Sequence, residues 1–341
     1  MMADIICSVP WPRLRSNPRR TDLPLDTDTP HVLAVAKLSP FLVPQLQAAF
    51  HFHDRSHEGD APAFEGLAPR IQAIAASGES RVGDALMARL PALRMISVMG
   101  VGYDGIDVAA AKARGVMVSH TPDVLNDDVA DLAIGLMLSA ARQLPAADRY
   151  VREGRWPRGP MPLARKMSGA RLGLIGMGRI GQAIAHRALA FGMSIAYTTR
   201  TPRPDLPYRH LPDATTLAGE SDFLVVITPG GAGTRHLVNA AVLAALGTQG
   251  ILVNVARGSV VDEAALIDAL ERGVIGGAGL DVFEAEPNVP ERLRALPHVV
   301  LAPHIGSATE QTRQAMADRA FANLRAFFDG KPLPSAVPEC R

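Results

Sequence analysis

Three residues of this sequence stand where a cation, an acid and a base could act on one small molecule. Arg257, Glu286 and His304 each follow a short apolar run: Ile251 to Val255, Ala278 to Val282 and Val299 to Ala302. Such runs read as buried strands, and open parallel sheets bind ligands beyond the carboxyl ends of their strands. Arg257 can hold a carboxylate through a planar two-pronged contact and polarise a neighbouring carbonyl. His304 can donate a proton, since imidazole titrates near working pH. Glu286 can pair with His304, favour the imidazolium and keep the donor loaded. Together they supply what reduction of a 2-oxo acid needs besides a hydride donor. In the reverse direction, neutral His304 takes the proton back. Each residue also has a plain structural reading: an ion pair for Arg257, solvent for Glu286, a satisfied core position for His304. Their joint placement at strand ends is what favours the chemistry.

The hydride donor has its own signature. Leu172 to Ile175 reads as a buried strand, followed by Gly176-Met177-Gly178-Arg179-Ile180-Gly181 and an Ala-rich helical pattern ending near Phe191-Gly192. A second apolar run, Ile195 to Tyr197, completes a strand–glycine turn–helix–strand unit of dinucleotide-binding length. Gly176 allows the tight turn, Gly178 lets the backbone approach a pyrophosphate, and Gly181 lets the helix pack closely on the sheet. Arg179 and Ile180 open that helix, whose free N–H groups face the anion. In NAD-binding versions an acid about 20 residues on holds the ribose 2′-hydroxyl. Here that place falls at Thr198-Thr199, with Arg200 and Arg203 just after it. Hydroxyl and guanidinium groups suit a 2′-phosphate that a carboxylate would repel. NADP(H) is therefore the expected cofactor and NAD(H) the lesser one. The competing reading makes both arginines solvated surface residues.

These motifs sit in a chain of 341 residues, long enough for two domains. A net charge of +1 gives no basic field for nucleic acid or an anionic membrane. Cys7 and Cys340 alone suggest neither a disulfide framework nor a metal cluster, which fits a reducing cytoplasm. No apolar run reaches the ~18 residues of a membrane span. His51, His53 and His57 are close in sequence, but no cysteine joins them and their spacing fits no common zinc pattern, so no metal is expected.

Residues 1–30 mix prolines, arginines and aspartates and are expected to form a disordered extension. From His31 onward strands alternate with helices. The strands are expected at Val32 to Ala36, His51 to His53, Ile71 to Ala75, Leu93 to Met99 and Val116 to Ser119. A long helix from Asp127 or Asp128 to about Arg142, with an aspartate as its cap, is apolar on most faces, which suggests a domain or subunit interface. After the glycine unit come strands at Asp222 to Thr228 and the three named first, helices over Ala240 to Leu246 and Asp262 to Arg272, and a last helix over Glu310 to Phe328. The class is α/β with parallel sheets.

Six segments bring a family into view: Gly100-Val101-Gly102-Tyr103-Asp104, HTPDVLNDDVADLAIGLML, GLIGMGRIGQAIA, VNVARGSVVDEAAL, AGLDVFEAEP and LAPHIGSAT. Over about residues 93 to 312 the chain resembles the D-isomer-specific 2-hydroxyacid dehydrogenases, in pattern most like glyoxylate/hydroxypyruvate reductases and their 2-ketogluconate and hydroxyphenylpyruvate relatives. The resemblance implies Arg257, Glu286 and His304 as the catalytic set, and backbone N–H groups of Val101 and Gly102 for the substrate carboxylate. It implies Asp281 near the nicotinamide carboxamide, with Thr228, Pro229, Val255 and Gly306 lining the cofactor. It also implies two doubly wound parallel-sheet domains: a Rossmann cofactor domain, 125–308, inserted in a discontinuous flavodoxin-like substrate domain, 31–124 with 309–341. The enzyme is then a homodimer, with the 127–142 helix in its interface. Asn126 departs from the Thr common at that helix start. Gly159-Pro160-Met161 replaces a second Trp that some reductases place against the partner's pocket. The expected substrate is a small 2-oxo acid, glyoxylate or hydroxypyruvate foremost. A dinucleotide-sensing protein of corepressor type and an NAD-linked dehydrogenase of another small acid, such as formate or phosphite, are the alternatives.

Overall fold

The computed structural model describes residues 28–58 and 61–340, so most of the expected N-terminal extension lies outside the described residues. The first part of the chain alternates β1 (His31–Ala34), α1 (Val43–Ala49), β2 (His51–Asp54), α2 (Ala61–Leu67), β3 (Ile71–Ser77), α3 (Asp84–Ala88), β4 (Met95–Met99), α4 (Val108–Ala113) and β5 (Met117–Ser119). Then come α5 (Asn126–Arg142) and α6 (Leu144–Arg152). The second part holds β6 (Arg171–Ile175), α7 (Arg179–Leu189), β7 (Ser194–Thr198), β8 (Arg209–His210), α8 (Ala214–Gly219), β9 (Phe223–Val226) and α9 (Ala240–Leu246). It continues through β10 (Ile251–Asn254), α10 (Glu263–Glu271), β11 (Gly277–Leu280), α11 (Glu291–Arg294) and β12 (Val299–Leu301) to α12 (Glu310–Phe328).

The strands form two sheets. The first has the order β2-β1-β3-β4-β5, which is flavodoxin-like. The second has the order β12-β11-β10-β9-β6-β7-β8, the doubly wound dinucleotide-binding order extended by one strand. Every pairing between these strands is parallel. Strands such as FLVV in β9 and ILVN in β10 are buried at every position, as parallel strands covered on both faces must be. The chain is thus an α/β protein of two parallel-sheet domains. The helix starts follow local chemistry. Asp107, Asp213, Asn239, Asp262 and Thr309 cap α4, α8, α9, α10 and α12 by accepting first-turn N–H bonds.

The last helix returns to the first sheet. Ser97 in β4 donates to the Ala320 carbonyl at 3.0 Å, and Ser335 Oγ donates to the His120 carbonyl at 2.7 Å. The chain therefore passes between the two sheets twice, near residues 120–125 and 306–310.

One expectation about α5 needs correction. The helix begins at Asn126 with Leu125 in the cap position, so neither aspartate caps it. Asp127 and Asp131 instead hold Arg187 of α7, at 2.9 and 2.5 Å, and Asp128 accepts from Thr309 at 2.5 Å. Acids in a first turn still suit the helix dipole. The apolar face, including Val129, Ala133, Leu136, Met137 and Ala140, is buried within the chain itself. Exposed apolar side chains lie further on: Leu144 and Val151 of α6, then Trp156 and Leu163 of the following arm.

The expected histidine group also divides. His57 packs edge-on against Phe64, while His53 Nε2 lies 2.9 Å from Nδ1 of buried His31. Burial, with Arg70 and the two neighbouring histidines, lowers the His31 pKa to about 4, so this pair stays uncharged at neutral pH.

Candidate active site

Strand order explains why three residues far apart in sequence can meet. β10, β11 and β12 are neighbours in the sheet, so the turns after them lie side by side. The first turn carries Arg257, the second Asp281 to Glu286 and the third His304.

Buried Asn254 shapes the first of these turns. Its Oδ1 accepts from the Ala256 N–H and its Nδ2 donates to the Arg257 carbonyl, both at 3.0 Å. Next to Arg257, Gly258 presses on the 283–284 backbone so closely that any β-carbon there would collide with it. Glu286 uses both oxygens: Oε1 accepts from the Phe283 N–H at 2.8 Å, and Oε2 faces His304 Nδ1 at 2.7 Å. That hydrogen bond outweighs burial and holds the His304 pKa above its ordinary value. Burial pushes the Glu286 carboxyl up, but the bonds from His304 and Phe283 prevail and hold it below the usual range. Imidazolium and carboxylate stabilise each other here.

His304 has a left-handed backbone, φ 54°, and Asp281 keeps it there. Asp281 is buried, and its two oxygens accept from the N–H groups of Ile305 at 2.7 Å and Gly306 at 2.8 Å. Desolvation by burial raises the Asp281 pKa. Asp281→Ala would leave two N–H donors without their acceptor, each worth about 1–3 kcal/mol when buried. The expected result is a loss of about 2 kcal/mol or more of stability, read by urea denaturation.

The first domain faces this cluster across a cleft. Asp104 Oδ1 lies 3.2 Å from Arg257 Nε, and Arg257 Nη1 donates to the Ala256 carbonyl at 2.7 Å. The remaining nitrogen, Nη2, sits against Gly102, where a β-carbon would overlap it. The backbone of Val101 and Gly102 and one free edge of the guanidinium thus border the same space. The Val101 carbonyl is held by His120 Nδ1 at 3.0 Å. Glu79 also reaches across, with Oε1 3.2 Å from His304 Nδ1. Asp104, Glu79 and Asn254 are not among the residues that the sequence pattern singles out. Two of them do carry a signal: Asp104 closes the Gly100–Asp104 segment, and Asn254 is a polar residue ending an apolar strand.

The dinucleotide loop lies at the switch between β6 and β9. Gly176 has φ 110°, and a β-carbon on it would strike the Ile227 carbonyl at 2.5 Å and approach Thr228 N at 3.1 Å. Pro229 continues that turn on the surface. A β-carbon on Gly181 would strike the Gly176 carbonyl at 2.5 Å, so this glycine brings α7 onto the loop. Gly178 differs: a β-carbon there meets nothing within 4 Å, so the loop opens onto free space at that point. Gly178, in extended conformation, caps α7 without a side-chain bond, leaving the first-turn N–H groups, those of Arg179 and Ile180 among them, to an outside acceptor. A pyrophosphate fits this cradle. The Arg179 side chain pairs with Asp123 at 2.9 Å. Val255 is buried at the end of β10, and Gly306 packs on Asp281 and Val129.

The groups expected at the 2′-position separate. Thr199 donates to the Thr201 carbonyl at 2.7 Å. Arg203 is held in a two-pronged pair with Asp205, at 2.9 and 2.7 Å, because that acid follows two residues later. Arg200 is exposed at the end of β7. No helix among the described residues is long and apolar enough to cross a membrane.

Known proteins resemble this arrangement. Residues 134–306 match the family described as D-isomer specific 2-hydroxyacid dehydrogenase, NAD binding domain. Glyoxylate/hydroxypyruvate reductase A of Arabidopsis thaliana is 49% identical over 267 residues, 78% of this chain and 85% of the relative. Hydroxyphenylpyruvate reductase of Plectranthus scutellarioides is 44% identical over 90% of this chain and 98% of its own. Among solved structures, the NADPH-dependent glyoxylate/hydroxypyruvate reductase of Sinorhizobium meliloti, in complex with NADP and malonate, superposes with a TM-score of 0.86. It is 46% identical, with 92% of this chain and 98% of that chain covered.

Proposed function

The chain belongs to the D-isomer-specific 2-hydroxyacid dehydrogenase family and is an oxidoreductase, and from that premise we propose that it reduces a small 2-oxo acid of the glyoxylate or hydroxypyruvate type, with NADPH preferred to NADH. One observation carries the reading: Arg257 Nη2 against Gly102 and His304 bonded to Glu286 face the same cleft. The bound reduced dinucleotide supplies the hydride. Arg257 and the Val101–Gly102 backbone hold the substrate carboxylate and fix the carbonyl beside His304. Protonated His304 gives its Nε2 proton to the carbonyl oxygen as negative charge develops there, and Glu286 stabilises the cation until transfer. The two sides of the cleft are already in contact, Gly102 against Arg257, and such closure excludes water from the reaction.

Gly176, Gly178, Arg179, Ile180 and Gly181 would hold the cofactor's pyrophosphate, and Thr228, Pro229, Val255, Asp281 and Gly306 would line its nicotinamide half. Exposed Arg200 is the cation for a 2′-phosphate, and Thr199 lies beside it. Arg203 follows as the second cation of this strand end, paired with Asp205 across the loop. Arg200→Ser is expected to raise the KM for NADPH about tenfold and leave that for NADH nearly unchanged, the size of one charge-assisted contact. Equal change for both dinucleotides would remove Arg200 from the site.

We place the substrate domain at 31–124 with 309–341 and the cofactor domain at 125–308, a division supported by α12 on β4 and α5 on the second sheet. A homodimer, with the 127–142 helix in its interface, is supported by the exposed Leu144, Val151, Trp156 and Leu163 of the arm that follows this helix, an apolar surface offered to a partner. A cytoplasmic setting is consistent with a chain holding only Cys7 and Cys340.

Initial rates with glyoxylate, hydroxypyruvate and 2-ketogluconate, each with NADPH and NADH, test the function. Turnover of the small acids favouring NADPH is expected. Turnover favouring NADH would keep the reaction and reject the cofactor assignment.

A further inference from the structure

The carbonyls of Gly100 and Val101 both turn toward residues 120–121. The Thr121 N–H donates to the Gly100 carbonyl at 2.8 Å, and His120 Nδ1 lies 3.0 Å from the Val101 carbonyl oxygen. A carbonyl oxygen can only accept, so Nδ1 carries the hydrogen of this bond. Both peptide bonds are trans. In a planar trans peptide the N–H points opposite to the C=O. The N–H groups of Val101 and Gly102 are therefore turned away from residues 120–121. Neither has an acceptor among the described residues. His120 is buried in the first domain, while Arg257 Nη2 of the second sits against Gly102. Two successive N–H groups beside a guanidinium form an anion-binding concavity.

His120 is itself firmly set. Its N–H donates to the Ser335 carbonyl at 3.1 Å, and its carbonyl accepts from Ser335 Oγ at 2.7 Å. Ser335 N in turn donates to Asn323 Oδ1 at 3.0 Å, which ties this segment to α12. The imidazole packs edge-on against Tyr103, with ring centroids 5.2 Å apart, and the Tyr103 hydroxyl donates to Glu339 at 3.2 Å. A ring held this way presents its Nδ1 hydrogen to the Val101 carbonyl in one direction.

We propose that His120 is a positioning residue for the substrate carboxylate: its Nδ1 hydrogen fixes the Val101–Gly102 peptide so that the Gly102 N–H meets the carboxylate that Arg257 holds. The inference rests on the reductase reading above. Without this bond the peptide is free to rotate, and the carboxylate loses one preorganised donor. The carboxylate keeps its charge throughout hydride transfer, so the contact is equal in ground state and transition state. Its loss then appears in KM and not in kcat.

The test compares wild type, His120→Phe and His120→Asn in steady-state kinetics with NADPH and either hydroxypyruvate or glyoxylate, with oxalate as a carboxylate inhibitor that cannot be reduced. Phenylalanine keeps a ring against Tyr103 but has no donor. The KM for both acids and the Ki for oxalate should rise about tenfold, the size of one hydrogen bond to a charged group, with kcat nearly unchanged. Asparagine can place its amide nitrogen where Nδ1 stands, and it should restore most of the loss. An asparagine variant as impaired as the phenylalanine one would overturn the proposal, as would a phenylalanine variant with wild-type KM and Ki, or a loss confined to kcat. Wild-type enzyme labelled with 15N-histidine gives a reading that needs no variant to fold: His120 Nδ1 should be protonated at neutral pH, and a bare Nδ1 would equally reject the assignment. A wild type that turns over neither acid would instead overturn the reductase reading, and this inference with it.

Discussion

His304→Ala is expected to lower kcat/KM for 2-oxo acid reduction about a thousandfold while dinucleotide binding persists. Proton transfer by a positioned side chain contributes about 10²–10⁴-fold, and His304 is the imidazole of the cleft whose charged form the Glu286 bond favours. Its partner makes a finer test. The Glu286 hydrogen bond raises the His304 pKa against the effect of burial. A pKa raised in the folded state means that the pair's contribution to stability is present below the unfolded value near 6.5 and is lost as pH rises through the folded value. Activity follows the same sign: reduction needs the imidazolium, so its rate falls on the alkaline side of the folded pKa. In Glu286→Gln that fall should move to lower pH, read from the pH profile of kcat/KM. An unshifted profile would separate Glu286 from the proton donor.

Arg257→Met should cost a similar factor, about a thousandfold in kcat/KM, because the proposed mechanism asks one residue both to bind the carboxylate and to polarise the carbonyl. Arg257→Lys should recover little of it. Lysine carries a point charge and cannot bond Asp104, the Ala256 carbonyl and a substrate carboxylate from one rigid plane, as Arg257 is placed to do. Steady-state kinetics on both variants decides. Full recovery by lysine would mean that charge alone matters here.

Much of the fold and of the site is legible in the sequence. The run from Leu172 to Gly181 specifies strand, turn and helix because each glycine answers a local steric demand. The apolar runs before Arg257, Glu286 and His304 place all three at strand ends. α9 and α12 carry strong local start signals in Asn239 and Thr309, and they occupy the expected ranges. What is not legible depends on contacts across the chain. α6 buries none of its residues, so its apolar positions do not mark the core. The two-residue β8 exists only through its pairing with β7. The aspartates at the start of α5 look like caps in sequence, but α7 and Thr309 claim them. That Arg203 pairs with Asp205 is a contact the cofactor motif does not announce. Asp281, read from sequence as a cofactor neighbour, also fixes the His304 loop, a role set by backbone donors 24 and 25 residues away. Glu79 and Asp104 belong to one domain and act on residues of the other, a relation that no local pattern encodes.

The most direct test of hydride delivery at this site is a single turnover. Enzyme loaded with NADPH is mixed with excess hydroxypyruvate, absorbance of the reduced nicotinamide is followed, and the product's configuration is determined. The expected result is loss of one NADPH per active site with formation of the D-2-hydroxy acid, abolished on the same timescale in His304→Ala. NADPH that stays bound and unoxidised with hydroxypyruvate and with glyoxylate alike would contradict hydride transfer at this cleft, and would make the chain a dinucleotide-binding protein without reductase function.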